Sequence, residues 1–248
     1  MKIPVLKLML LSAVLAQATT AYSQSLPKFG VGAKVSTLGF GIEAATAVTK
    51  KSNVRGVVNF LNYDHSFSES GINYGTSLNF RSVEAHYDLF FGAFRFSPGL
   101  MVYNGNKVEG SATVPGGRSF TLGSRTYFSS ATDPVIGTSG IDFGNRKVAP
   151  MLTAGVGNLL RRTGRRFSIT VDGGIVFEGS PKATLNLGGS TCVAAAGPCQ
   201  TISSNTQVQS DIHAEEAKIN SGAAPYDSAV KVLKYYPVIS VGFGLRLK

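Results

Sequence analysis

Apolar and polar residues alternate with a period of two along most of the chain. From residue 29 onward, alternating segments of about 7 to 12 residues are separated by turn residues. Successive side chains of a β-strand point to opposite faces, so the pattern predicts strands with one apolar and one small or polar face. The last segment shows it most clearly, with apolar residues at every second position: Ile239, Val241, Phe243, Leu245 and Leu247.

The alternation predicts an all-β chain of about eight antiparallel strands. The fourth strand continues through a bulge at Arg81-Ser82, and the first hairpin turns at Ser36-Thr37 or is one bulged strand. A hairpin made by residues 108–114 and 119–128 keeps ten strands as an alternative. The predicted strands are residues 31–35, 38–48, 54–63, 72–91, 94–103, 148–160, 167–178 and 239–247.

The polar face distinguishes a soluble sandwich from a membrane barrel. A sandwich carries many charges on its outer face, whereas this face is rich in Gly, Ser, Thr and Asn and carries few charges of both signs. Unpaired buried charge is costly, so a narrow lumen has to pair its charges. The predicted lumen network consists of Lys34, Arg55, Arg81, Arg95 and Arg246 with Glu43, Glu84, Asp88, Asp172 and Glu178, and His86 shares their face.

Connection lengths favour a transmembrane β-barrel. Segments 50–53, 92–93 and 161–166 are short, whereas segments 64–71, 104–147 and 187–234 are long. Outer-membrane barrels have short periplasmic turns and long outer loops, with aromatic girdles near both interfaces. Aromatic residues are found near the short turns (Phe90, Phe91, Phe94, Phe96, Phe167) and near the long loops (Tyr63, Tyr74, Tyr103, Tyr235, Tyr236).

The N-terminus predicts export. Lys2 and Lys7 accompany a short apolar core, and small residues offer cleavage after position 18, 21 or 23, as in a signal peptide. Residues 1–23 are therefore expected to be removed, which leaves residues 24–248 as the barrel. Export also favours a disulfide between Cys192 and Cys199 over two free thiols.

Composition excludes several classes of protein. Charged residues make up 15% of the chain, and no apolar run is long enough for a membrane-spanning helix. The formal charge is +10, yet no run of Lys or Arg exceeds two residues, so no nucleic-acid partner is expected.

A short amphipathic helix is predicted before the last strand. Pro225 suits its first turn, and Tyr226, Ala229, Val230 and Leu233 follow helical spacing. A preceding helix over residues 212–219 carries a weaker signal. These helices either cover the outer mouth of the barrel or belong to a packed loop.

Two groups of residues were weighed as chemical sites. Asp64, His65 and Ser66 are adjacent on a strand, so they cannot face one another as a triad. Glu84, His86 and Asp88 share one face, but same-face spacing on a strand is too wide for one metal ion, which favours salt bridges. No enzymatic activity, cofactor or metal is predicted.

Several short motifs resemble the small outer-membrane barrels of the porin-like superfamily, which includes the OmpA, OmpX and OmpW types. They are residues 37–43, 104–107, 149–150 and 236–245. The resemblance implies an outer-membrane location, outer-membrane lipids around the barrel, and the barrel-assembly machinery as a partner during biogenesis. The OmpW-type resemblance further implies a route for small or hydrophobic solutes.

Three functions follow as hypotheses. The first is a closed structural barrel whose loops interact with partners, because an eight-stranded barrel leaves room only for side chains. The second is a narrow channel for small or hydrophobic solutes. The third is an outer-leaflet lipid-modifying enzyme that would use His65 and Ser66.

Overall fold

The computed structural model describes residues 29–144, 146–160, 166–195, 197–223 and 227–247. The predicted signal peptide lies outside the described residues, as do Pro225, Tyr226 and most of the basic turn at 161–166. No helix in the described ranges is long and apolar enough to cross a membrane.

The chain is mainly strand. Two helices, α1 (Thr206–Ser221) and α2 (Asp227–Lys234), and a 3-10 turn at Ile202–Ser204 precede the last strand. In chain order the strands are β1 (Phe29–Ser36), β2 (Gly39–Thr49), β3 (Ser52–Glu69), β4 (Ile72–Phe91), β5 (Phe94–Asn104), β6 (Lys107–Val114), β7 (Ser119–Leu122), β8 (Arg125–Ser129), β9 (Val135–Asp142), β10 (Ala149–Val156), β11 (Phe167–Val176), β12 (Lys182–Gly188), β13 (Ser190–Cys192), β14 (Cys199–Thr201) and β15 (Tyr236–Arg246).

Eight strands close into an antiparallel ring. The order around it is β1, β2, β3, β4, β5, β10, β11 and β15, and β15 pairs with β1. The predicted all-β barrel of eight strands is confirmed. The ten-stranded alternative is wrong, because β6 pairs with β4 and β9 outside the ring and β7 pairs with β8 in a separate sheet.

The first hairpin turns one residue later than predicted. Ser36 pairs with Gly39, so Thr37 and Leu38 form the turn, and Phe40 is the residue opposite Val35 on the outer face. Leu38 is buried at one end of the barrel. The inward and outward alternation of a strand does not apply to a turn residue, so the apolar side chain of Leu38 can point into the ring.

The predicted bulge at Arg81-Ser82 is also wrong. β3 and β4 pair without interruption from Ser52↔Leu89 to Glu69↔Ile72. The irregularity lies in β5, where Glu84 pairs with Met101 directly after Val83 pairs with Tyr103. Alternation in β4 is therefore continuous, so Ser82 points inward and is buried, whereas Arg81 is exposed on the outer face.

The β3–β4 hairpin extends far beyond the ring and begins an outer domain. Residues 64–71, predicted as a loop, belong to these strands apart from a turn at Ser70 and Gly71, where both residues have positive φ, as a two-residue turn of type I′ requires. The upper half of β4 pairs with β6, followed by β9 and β12. A second sheet of β7, β8, β13 and β14 completes the outer strands.

Helix α1 is longer than the weak signal over 212–219 predicted. Asn205 caps its start by accepting from the N–H groups of Gln207 and Val208, and Gly222 ends it in the left-handed region. Val208 and Ile212 pack in the core of the outer domain. The predicted helix before the last strand is present as α2.

Candidate functional site

The barrel interior is built as three layers of side chains, which together form the candidate site. Inward positions on the ring strands alternate with outward ones, so the side chains of successive inward positions lie at different heights in the ring. An apolar layer lies at the end next to the outer domain, a charged layer lies in the middle, and a second apolar layer lies near the short turns.

Arg55 on β3 occupies the centre of the charged layer. Its Nε lies 3.0 Å from Asp88 Oδ2 and its Nη2 lies 3.1 Å from Asp88 Oδ1, a bidentate pair. Its Nη1 donates to Glu43 Oε2 at 3.2 Å. Ser97 Oγ donates to Asp88 Oδ1 at 2.7 Å, so Asp88 has three hydrogen bonds and no exposed side-chain surface.

Two further groups complete the layer. Arg95 Nη2 lies 2.6 Å from Asp172 Oδ2 and Nη1 lies 3.9 Å from Asp88, which links Asp172 to the Arg55 group. Lys34 Nζ lies 3.2 Å from Glu84 Oε2. His86 Nε2 lies 2.7 Å from the same oxygen, and Asn59 Nδ2 donates to Glu84 Oε1. Each of these carboxylates is therefore paired with a cation from another strand.

Part of the predicted network meets in this layer. Of the eleven predicted residues, the structure brings together Lys34, Glu43, Arg55, Glu84, His86, Asp88, Arg95 and Asp172. Ser97 and Asn59 were missed, although their inward parity was readable from the alternation. The alternation gives polar neutral residues on that face no particular partner, whereas in the structure these two side chains donate hydrogen bonds to Asp88 and Glu84.

Three predicted residues lie elsewhere. Arg81 faces outward, because the bulge that would have turned it inward is absent from β4. Arg246 is at the short-turn end of β15, where its N–H donates to the Arg166 carbonyl at 2.8 Å. Glu178 is buried at the opposite end, beyond β11, where its Oε1 accepts from Asn104 Nδ2 at 3.2 Å.

The upper apolar layer lies inside the ring, below the outer domain. It is continued by aromatic contacts: Phe143 makes edge-to-face contacts with Phe80 at 6.4 Å and with Tyr236 at 5.9 Å between ring centroids. The buried members of the layer are Leu38, Met101, Ala149, Met151, Val176 and Val238.

The lower apolar layer comes from the connection after β10. Residues 148–160 were predicted as one strand, but β10 ends at Val156, and Leu159 and Leu160 fold into the ring, where they are fully buried with Ala45. Glycines make room for them. A Cβ on Gly32 would lie 2.7 Å from Leu159 Cδ1, and one on Gly244 would lie 2.3 Å from the same atom.

Glu178 gives the interior a pH-dependent stability. Burial raises the pKa of Glu178 to about 7, and the hydrogen bond from Asn104 opposes that rise. A carboxyl group with a raised native pKa stabilises the fold below its unfolded pKa of 4.5, and that stability is lost as the pH rises through about 7.

We therefore expect Glu178→Gln to become more stable than wild type as the pH rises. The gain should reach about 3 kcal/mol above pH 8 and be small below pH 5. Urea unfolding at pH 4.5 and pH 9 measures it, with Glu69→Gln at the exposed β3–β4 hairpin as the control. A gain of equal size at both pH values would contradict the burial of an ionisable Glu178.

The outer face of the ring carries large exposed apolar side chains on every strand. Ile42, Ile169 and Ile239 are 62–68% exposed. Aromatic rings mark both ends of this apolar belt: Phe91, Phe94 and Phe167 near the short turns, and Tyr103 and Tyr235 near the outer domain. Three residues predicted for the outer girdle lie elsewhere. Tyr63 is on the other face of β3, stacked on His65, Tyr74 is in the extended hairpin, and Tyr236 packs on Phe143.

The residues weighed for catalysis and metal binding do not form such sites in the structure. Asp64 and Ser66 share one face of β3, whereas His65 lies on the other face, stacked 6.3 Å from Tyr63 and 6.1 Å from Phe67. Among the described residues, no group of three His, Cys, Asp or Glu is placed to hold a metal ion. Cys192 and Cys199 are joined by a disulfide that links β13 to β14.

Comparison with known proteins gives the fold. No family model and no curated protein matches the sequence. Similar solved structures include the crystal structures of CarO2 and CarO, both from Acinetobacter baumannii. This chain resembles the CarO β-barrels. The TM-scores are 0.57 and 0.55 at 16% and 19% identity, and each match covers 91% of this chain and 100% of the other.

The likeness to CarO bears on the kind of barrel. It supports a β-barrel of the outer-membrane type and not the OmpA, OmpX or OmpW types in particular. At these identities the comparison shows only that this chain shares the fold of CarO and CarO2. The role of this chain has to be argued from its own side chains.

Proposed function

We propose that the chain is an integral outer-membrane barrel whose interior is closed and whose outer domain carries its interactions. The observation that carries the proposal is an apolar exterior around a filled interior. The ring of eight strands exposes isoleucine, valine, leucine and phenylalanine outward, while its charged residues are paired inside. That distribution is the reverse of a water-soluble protein and is typical of a membrane barrel.

The lengths of the connections indicate how the barrel is oriented in the membrane. Outer-membrane barrels place short turns in the periplasm and long connections outside. The turns between β2 and β3 and between β4 and β5 are two residues long, whereas the segments between β5 and β10 and between β11 and β15 build the outer domain. The outer domain therefore faces the outside of the cell, and both described ends of the chain lie on the periplasmic side.

The filled interior favours a structural or interaction role over a channel. Leu159 and Leu160 block the periplasmic end, and the aromatic contact of Phe143 with Phe80 and Tyr236 blocks the outer end. A solute would have to displace both apolar layers and break buried ion pairs between them. The outer domain, by contrast, presents its sheets directly to the surroundings.

Membrane insertion is tested by placing a charge on the belt. Val241 is 54% exposed near the middle of β15. We expect Val241→Arg to make folding into vesicles less favourable by about 2–4 kcal/mol, because a guanidinium at mid-bilayer loses its hydration. Equilibrium folding into phosphatidylcholine vesicles in urea measures the loss.

Val193→Arg is the matched control, since Val193 is 76% exposed but lies in the outer domain. We expect it to change the folding free energy by less than about 0.5 kcal/mol. Equal losses for the two variants, or a protein that does not float with vesicles, would contradict the membrane proposal.

A further inference from the structure

The outer faces of β3 and β4 change character in a fixed order from the ring to the tip of the hairpin. Cross-strand partners in an antiparallel pair point to the same side. The outward pairs in sequence are Val58↔Val83, Phe60↔Arg81, Asn62↔Asn79, Asp64↔Ser77 and Ser66↔Gly75. The order is therefore apolar, then one cation, then amide, carboxylate and hydroxyl groups.

An apolar groove lies at the lower end of this series. It encloses about 650 Å³ on the outside of the ring, and Phe60 is one of its walls. The other apolar side chains that line it include Phe40, Ile42, Ile169 and Phe243. The groove is part of the apolar belt, and its apolar lining suits hydrocarbon chains.

Arg81 lies beside Phe60, at the β4 edge of the groove. Its Cα is the partner of Phe60, and its side chain is exposed. Its backbone is fixed from both sides, because its N–H donates to Asn106 Oδ1 at 2.8 Å and its carbonyl accepts from Gly105 N–H at 2.8 Å. Arg81 takes part in none of the ion pairs found among the described residues.

A polar trough lies farther along the same face of the outer sheet, beyond the Asn62↔Asn79 pair. It encloses about 460 Å³ across β3, β4, β6, β9 and β12. Glycines at 75 and 140 deepen it, and hydroxyl, amide and carboxylate groups line it, among them Asp64, Ser77, Glu109, Ser111, Thr138 and Asn186. Such groups both donate and accept hydrogen bonds, which suits sugar hydroxyls.

We propose that this face binds a phosphorylated glycolipid of the outer leaflet, with its acyl chains in the apolar groove, a phosphate on Arg81 and its sugars in the trough. The inference rests on the membrane location proposed above, because the groove is continuous with the lipid-facing belt. Hydrocarbon, phosphate and sugar follow one another along such a lipid in the order of the three surfaces. Guanidinium is the side-chain group that binds phosphate oxygens bidentately.

The charges of the face favour this occupant over a phospholipid. Among the described residues, the trough is lined by Asp64 and Glu109 and by no lysine or arginine, so a second anionic group placed inside it would be repelled. Lys107 and Lys182 lie on the same face in the row between Arg81 and the trough, on either side of Asp142. A neutral sugar has no such penalty and can donate its hydroxyl protons to both carboxylates. A phospholipid would fill the groove and reach Arg81, but it has no sugar for the trough.

Titration of fluorescently labelled lipopolysaccharide with the refolded full-length protein in detergent, read as anisotropy, tests the proposal. We expect Arg81→Ala to weaken binding about tenfold, since one charge-assisted contact is lost. Ser111→Gln, which places a longer side chain in the trough, should weaken binding of the intact glycolipid but not of its phosphorylated acylated core. Arg118→Ala, an exposed arginine of the outer domain, should bind as wild type does.

Two results would overturn the proposal. One is equal affinity of wild type and Arg81→Ala for lipopolysaccharide. The other is a loss in Ser111→Gln that is the same for the intact glycolipid and for its core. Flotation of the wild-type protein with phosphatidylcholine vesicles is measured alongside, because a protein that floats but does not bind the glycolipid refutes this inference and leaves the membrane location intact.

Discussion

Replacing Arg55 with methionine is expected to lower the free energy of unfolding by about 3–5 kcal/mol. The change leaves Asp88 and Glu43 buried without the guanidinium that holds both, at 3.0 and 3.2 Å. Removing one partner of a buried ion pair costs more than the pair contributed, because the remaining charge keeps its desolvation penalty. Urea unfolding followed by far-ultraviolet circular dichroism measures the loss, since the chain contains no tryptophan.

A matched arginine in an exposed ion pair distinguishes the effect of burial from the effect of losing the charge. Arg125 pairs with Asp211 at 2.5 Å in the outer domain, but its side chain is 51% exposed. Arg125→Met should cost at most about 1 kcal/mol, as exposed ion pairs do. Adding Glu43→Gln to Arg55→Met should restore part of the stability, because it removes one unpaired buried carboxylate. Equal losses at Arg55 and Arg125, or no recovery in the double variant, would contradict a dry, paired interior.

Shortening Leu159 to alanine is expected to lower the free energy of unfolding by about 2–5 kcal/mol, because its side chain has no exposed surface and fills the short-turn end of the ring. The same urea unfolding measures it. Leu247→Ala, at the same end but 40% exposed, is the control and should cost less than about 1 kcal/mol.

Gly244 offers a test of the packing itself. A Cβ there would lie 2.3 Å from Leu159 Cδ1, so Gly244→Ala should destabilise the wild-type barrel. In the Leu159→Ala background that contact is gone, and the cost of Gly244→Ala should fall. Additive losses would mean that Leu159 does not lie against Gly244 in the folded protein.

The ring was predictable because both of its faces carry a signal. Outward residues are apolar and inward ones small, polar or charged, so parity alone assigned Lys34, Glu43, Arg55, Glu84, Asp88, Arg95 and Asp172 to the inner face. Which cation meets which carboxylate was not predictable, because it depends on strand register and on the stagger of the closed ring. Strand register also determines on which face of β4 Arg81 lies. A bulge in β4 and a bulge in β5 leave the same apolar pattern in the sequence, so the pattern could not distinguish them.

The outer domain was largely missed for the opposite reason. Above the belt the outward face of β3 is polar, with Asn62, Ser66 and Ser68, and the apolar residues Tyr63 and Phe67 lie on the opposite face. The outward apolar pattern that marks the ring strands is therefore absent there. The partner of β6 was also mispredicted. The sequence predicted that residues 108–114 pair with residues 119–128, whereas β6 pairs with β4. Leu159 and Leu160 were read as an extension of β10, because two apolar residues at a strand end look the same whether the strand continues or folds inward.

Single-channel recording of the refolded protein in a planar bilayer tests the closed interior most directly. Insertion is established on the same sample by flotation with vesicles and by protection of the ring strands from protease. We expect no discrete conductance steps from inserted wild-type protein, because two apolar layers flank the paired charges. Reproducible steps in the wild-type protein that change in size with Arg55→Met would place a conducting path through the charged layer and contradict the closed barrel.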